Sequence, residues 1–138
     1  MPSVCVDASL VLMMLLPGDR TGQAKALWRE WRQQGRVLVC PPLLYAEVPS
    51  VLRSSVFFGR ISAQDGDQAF QEFRYLGVQV SPRRDLHVLA WDLAKAHNRP
   101  RVYDAMYLAV AQAEGCDLWT ADKRLFNAVQ LPWVKLVD

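Results

Sequence analysis

Val4-Cys5-Val6-Asp7-Ala8-Ser9-Leu10-Val11-Leu12-Met13-Met14-Leu15-Leu16 is the stretch on which the fold turns. Its first three residues form a short apolar run rich in β-branched side chains, the mark of a strand. From Ala8 the apolar character continues long enough for a helix, until Pro17-Gly18 stops it. An aspartate, Asp7, stands at the junction. A buried strand that passes straight into a buried helix must be layered with it, since each hides its apolar surface on the other.

The same alternation runs outward through the chain. Strand-like runs recur at Val37-Leu38-Val39-Cys40, Val78-Gln79-Val80, Leu118-Trp119-Thr120 and Val134-Lys135-Leu136-Val137. Between them lie helical stripes: Ala24, Leu27, Trp28 and Trp31; Ala69, Phe70 and Phe73; Leu86, Leu89, Ala90, Leu93 and Ala94. Their bulky apolar members are assigned to core packing. Gly35, Gly59, Gly77 and Gly115 close helices, and Pro41-Pro42 opens one at its tolerated first turn. With no repeat, low-complexity tract or linker, residues 1–138 are expected to form a single α/β domain around a mostly parallel sheet of about five strands.

Composition narrows the class. Half the residues are hydrophobic, 51%, and 22% are charged, a balance that excludes disorder. The longest apolar run, Leu10 to Leu16, is too short to cross a bilayer and lacks the flanks of a signal peptide, so a cytoplasmic protein with no membrane partner is expected. Cys5, Cys40 and Cys116 show no CxxC spacing and read as small buried hydrophobes in a reducing compartment. His87 and His97, ten residues apart, are not spaced to share a metal. Net charge is only +2, but arginines outnumber lysines twelve to four, and arginine grips phosphate bidentately.

Most acids lie in polar loops or on solvated helix faces, and Asp138 ends the sequence. Four do not fit that description. Asp7 and Asp122 each follow a strand and precede a helix; both suit a helix N-cap, and both also fall where ligands of open α/β sheets bind, at the carboxyl ends of strands. Glu47 lies on the apolar stripe of Leu43, Leu44, Val48, Val51 and Leu52, where a carboxylate is costly without compensation. Asp104 interrupts Val102-Tyr103-Asp104-Ala105-Met106-Tyr107-Leu108-Ala109-Val110-Ala111, a helix apolar on nearly every side and therefore buried. It is either a first-turn acid favoured by the helix dipole or a functional group. If the four converged at ~6 Å, each pair would cost about 3 kcal/mol and the set roughly 17 kcal/mol, more than a domain's whole stability. Such a set must take up protons or hold cations, and an all-oxygen donor set with no histidine or cysteine points to Mg²⁺ or Mn²⁺.

Four blocks, Val4-Cys5-Val6-Asp7-Ala8-Ser9, Tyr45-Ala46-Glu47-Val48, Val102-Tyr103-Asp104-Ala105-Met106-Tyr107-Leu108-Ala109 and Thr120-Ala121-Asp122-Lys123-Arg124-Leu125, give the chain its family likeness. Over essentially its whole length it resembles PIN-domain proteins, and among them it is similar to the VapC-type toxins of toxin–antitoxin modules. The resemblance implies a three-layer α/β/α sandwich with one site at the carboxyl ends of the central strands. There Asp7, Glu47, Asp104 and Asp122 match the family's acids, and Ser9 and Thr120 match hydroxyls that orient the acids or the metal. It further implies a Mg²⁺- or Mn²⁺-dependent endoribonuclease that leaves a 5′-phosphate and a 3′-hydroxyl, an antitoxin protein as partner, and a homodimer.

Several features stand beside that likeness. Pro49, two residues after Glu47, removes a helical hydrogen bond to Tyr45 and is expected to kink the helix. Arg99, Arg101, Lys123 and Arg124 flank the acids and are placed to follow a nucleic-acid backbone. Val56-Phe57-Phe58 cannot all face one side of a helix, so at least one is expected on a surface patch for self-association or antitoxin binding. Two other functions start from the same residues. A phosphatase of the haloacid-dehalogenase type also opens on a strand and an aspartate, but needs a second acid where Ser9 stands. An inactive scaffold that binds RNA or protein without cutting would have shed acids, and all four are present.

Overall fold

The computed structural model describes residues 2–137, so Asp138 lies outside the described residues. In chain order the elements are β1 (Ser3–Val6), α1 (Ala8–Leu15), α2 (Thr21–Gln33), β2 (Val37–Cys40), α3 (Leu44–Phe57), α4 (Ala63–Arg74), β3 (Gln79–Val80), α5 (Leu86–Ala96), α6 (Tyr103–Glu114), β4 (Asp117–Thr120), α7 (Lys123–Val129) and β5 (Val134–Leu136). The strands form one sheet in the order β3-β2-β1-β4-β5, and every neighbouring pair is parallel. The sheet is thus wholly rather than mostly parallel, because every strand-to-strand connection passes through at least one helix. Val78 and Val137 fall just outside the strands expected to contain them.

Strand β1 occupies the centre, with Val4, Cys5 and Val6 fully buried. That explains its unbroken apolar sequence, since a parallel strand is covered on both faces. Helices α1 to α4 pack among themselves; α6 packs on α5 and over β1, β2 and β4, giving the layered α/β/α arrangement. Trp28 and Trp31 of α2 are buried, and Trp31 meets the edge of Trp119 on β4 at 5.8 Å between ring centroids, so the tryptophan stripe is core as expected. Two stripe members are not. Phe70 on α4 and Val51 on α3 are exposed, because Ala69 and Phe73, and Val48 and Leu52, already fill the inward faces of those helices.

The order of strands has a consequence for function. From β1 the chain builds the sheet to one side through β2 and β3, and later to the other side through β4 and β5. The carboxyl ends of β1 and β4 are therefore the switch point at which open α/β sheets form a crevice. Asp7 follows β1 and Asp122 follows β4.

Candidate active site at the carboxyl edge of the sheet

Asp7 is 5% exposed and caps α1, accepting a 3.0 Å bond from the Leu10 amide on Oδ1. The same oxygen accepts the Ser9 hydroxyl at 2.6 Å, and Oδ2 accepts the hydroxyl of fully buried Thr120. Ser9 Oγ lies 3.2 Å from Thr120 Oγ1 and accepts the Ala121 amide at 3.0 Å, while Thr120 Oγ1 accepts the Asp122 amide at 3.0 Å. The two hydroxyls thus knit the end of β1 to the end of β4. Asp122 caps α7, with Oδ1 accepting the Arg124 and Leu125 amides at 2.9 and 3.3 Å. The simple cap reading of both aspartates is therefore met, and it leaves room for a second role.

Burial dominates the electrostatics of Asp7. It pushes the carboxyl up to about 6, against the lowering effect of the Ser9, Thr120 and Leu10 bonds, and the nearby charge of Asp122 adds to the rise. On α3, Glu47 accepts the Tyr107 hydroxyl at 2.8 Å. Its carboxyl is raised by burial, then lowered by that hydrogen bond, then raised by Asp104. Asp104 lies in the first turn of α6 and faces Arg99, Nη2 to Oδ2 at 3.6 Å. Among the described residues neither Asp7 nor Glu47 has a basic partner within ion-pair distance.

The four acids are therefore electrostatically linked, Asp7 with Asp122 and Glu47 with Asp104, but they stand as two pairs. Among the described residues no three histidine, cysteine, aspartate or glutamate side chains are close enough to hold one ion together. Each has its own partners: Asp7 is bound into its cap and by two hydroxyls, Asp122 Oδ1 into its cap, and Asp104 by Arg99. The donor set still suits a hard divalent cation. It is all oxygen, and it contains a buried carboxylate with no cationic neighbour, whose charge such an ion would offset.

Helix α3 passes through Pro49 without interruption and still presents Glu47 to Tyr107. Tyr107 is the site residue that sequence reasoning missed. It is 2% exposed, and Glu47, followed by Asp7, raises its hydroxyl pKa further above the level set by burial. The signal was available: Tyr107 lies three residues after Asp104, on the same helix face, and a buried tyrosine needs a partner for its hydroxyl. His87 is exposed and His97 half-buried; Cys5 and Cys40 are buried free thiols, as expected of packing residues, whereas Cys116 is only half-buried.

The geometry has counterparts among known proteins. A family model described as PIN domain matches residues 4–130. The chain is 36% identical over 127 residues to Ribonuclease VapC9 of Mycobacterium tuberculosis, covering 92% of this chain and 91% of that one. Two solved structures share the fold: PAE2754 from Pyrobaculum aerophilum, with a TM-score of 0.72 at 20% identity over 99% of this chain and 90% of that chain; and a toxin–antitoxin complex from Klebsiella pneumoniae, with a TM-score of 0.67 at 20% identity over 99% and 98%.

Proposed function

The chain belongs to the PIN-domain family, and from that premise we propose that it is an endoribonuclease dependent on Mg²⁺ or Mn²⁺, the toxin of a toxin–antitoxin pair. One observation carries the reading. Asp7, buried and with no basic partner among the described residues, stands at the switch point of the sheet linked through Thr120 to Asp122, while Glu47, coupled to Asp104, holds the buried Tyr107 hydroxyl. Relatives named as VapC ribonucleases support the substrate class.

The two acid pairs, Asp7 with Asp122 and Glu47 with Asp104, are the residues that would hold one or two divalent ions. When bound, such an ion supplies an acidified water and offsets charge on the scissile phosphate. The remaining chemistry belongs to the chain. Ser9 and Thr120 fix the Asp7 carboxylate and keep both its oxygens from rotating freely, while Tyr107 holds Glu47 toward the crevice and favours its charged form. Arg101, Lys123 and Arg124 are exposed and border the acids in sequence, suited to the phosphates on either side of the cut. The expected products carry a 5′-phosphate and a 3′-hydroxyl. Incubation of RNA with the purified chain and Mg²⁺ tests the reading, with chelator and Asp104→Asn as controls. Metal-dependent cleavage lost in the variant supports it. RNA that stays intact with every metal tried assigns the chain to the inactive scaffolds.

The antitoxin belongs to the same reading. Phe57 and Phe58 are 68% and 66% exposed, packed edge to face at 4.9 Å, with Arg53 and Arg60 over their rings. Beside them the outer face of α3 carries a groove of about 420 Å³ lined by Pro49, Ser50, Arg53, Ser54 and both phenylalanines. An apolar patch ringed by arginines suits an amphipathic, acidic segment of a protein partner. Phe57→Ser and Phe58→Ser are expected to weaken antitoxin binding with little change in melting temperature. A fall in solution mass instead would assign the patch to the homodimer, and loss of stability with mass and affinity unchanged would mean the rings serve the fold alone.

A further inference from the structure

Helix α5 ends at Ala96, and the chain reverses through Asn98, which holds the left-handed φ of 50°, before α6 begins at Tyr103. The Arg99 amide closes the reversal by donating to the Ala94 carbonyl at 2.7 Å. Against the last turn of α5 this leaves a cleft of about 460 Å³, within the roughly 300–1,000 Å³ of small-ligand sites, and lined by Trp91, Lys95, Asn98, Arg99, Arg101 and Val102.

Of the cleft's eight lining residues three are cations and one is an indole. Trp91 and Lys95 are four residues apart on the same face of α5, turned away from the buried stripe of Leu86, Ala90 and Ala94. Trp91 is 62% exposed, so core packing does not account for it. Arg99 forms the side of the cleft nearest the acids through its 3.6 Å pair with Asp104, which neutralises one of the three charges. Lys95 and Arg101 have no acidic partner within ion-pair distance among the described residues. Helix α6 also opens here, at Val102, without a side-chain cap, and that leaves its first-turn amides to an anion.

We propose that this cleft is a nucleotide subsite: it takes an unpaired RNA nucleotide next to the scissile phosphate, its base on the Trp91 indole and its phosphate between Lys95 and Arg101. The assignment rests on the ribonuclease reading of the neighbouring acids. Cations alone would suit any acidic ligand; an exposed aromatic face beside two uncompensated cations suits single-stranded nucleic acid, because every base can stack. The Arg99–Asp104 pair sets the distance to the chemistry at one ion pair.

The test is the binding of an end-labelled single-stranded oligoribonucleotide by the full chain, followed by fluorescence anisotropy across a salt series with chelator present so that nothing is cut. Trp91→Ala is expected to weaken binding on the order of tenfold, and Trp91→Phe to keep most of the affinity. Lys95→Gln and Arg101→Gln should each flatten the slope of log affinity against log salt by about 0.7. Wild-type binding that Trp91→Ala leaves unchanged overturns the subsite while the ribonuclease reading stands. Unchanged RNA affinity with a fall in solution mass also overturns it, and assigns the Trp91 face to self-association. A wild-type chain that binds no RNA removes both readings together.

Discussion

Asp7 carries opposing demands. Three donors hold its carboxylate, yet burial outweighs them and raises its pKa from 3.8 to about 6. The folded state then binds the proton more tightly than the unfolded chain. Its contribution to stability is therefore full below about pH 4 and is lost as pH rises through 6, by about 3 kcal/mol. Asparagine caps a helix nearly as well as aspartate. Denaturant melts of wild type and Asp7→Asn should thus diverge between pH 4 and 6, the wild type losing stability that the variant keeps; parallel curves would show that Asp7 titrates normally. Tyr107 gives a second expectation. Tyr107→Phe removes the hydrogen bond that lowers the Glu47 pKa, so the acid limb of the pH–rate profile should move to higher pH. A profile that only scales down would give Tyr107 a packing role. Asp7, Asp104 and Asp122 were legible because a carboxylate beside or within apolar runs is conspicuous. Tyr107 was not, because a tyrosine in an apolar helix passes for core until its hydroxyl partner is known.

Between elements, the contact that shapes the side bearing Phe57 and Phe58 is the crossing of α3 and α4. Gly66 lies buried inside α4, and a Cβ there would overlap the Val56 Cγ2 methyl of α3. Alanine is the better helix former by about 1 kcal/mol, but a β-branched neighbour cannot swing aside. Gly66→Ala is therefore expected to destabilise by roughly 1–3 kcal/mol in spite of propensity, read by denaturant titration; a stabilised variant would mean that the helices part easily. Element boundaries were largely legible in sequence, since proline, glycine and the strand-end aspartates mark them. Exposure within a stripe was not. Periodicity puts Val51 and Phe70 on the apolar side of their helices, but only the neighbouring helix decides how wide a face it covers, and both fall at the rim. Helix α3 runs on through Pro49, which lies in its amino-terminal half and costs it the one amide that would bond the Tyr45 carbonyl.

Across the whole molecule, the all-parallel order β3-β2-β1-β4-β5 sets the ends of β1 and β4, and with them Asp7 and Asp122, beside one another. Residues 7 and 122 are far apart in sequence, but the parallel register of Val6 with Trp119 brings their strand ends side by side. Alternating strands and helices announced the layers, though not the order of the strands, which depends on long-range pairing that no local pattern encodes. The four acids were readable as a candidate class of chemistry. Their division into two pairs was not, because it depends on which caps and cations each carboxylate holds. Binding of a divalent ion at these acids should stabilise the fold, since the unfolded chain offers no such site.

That effect tests the central claim directly, through the melting temperature of the full chain as Mg²⁺ is titrated at neutral pH, beside Asp122→Asn, which should keep the α7 cap. The account predicts a saturable rise in the wild type, on the order of 10 °C at a hundred times the dissociation constant, and a rise shifted to at least ~10-fold higher Mg²⁺ in the variant. A wild-type melting temperature indifferent to Mg²⁺, or an equal rise in both proteins, would contradict it.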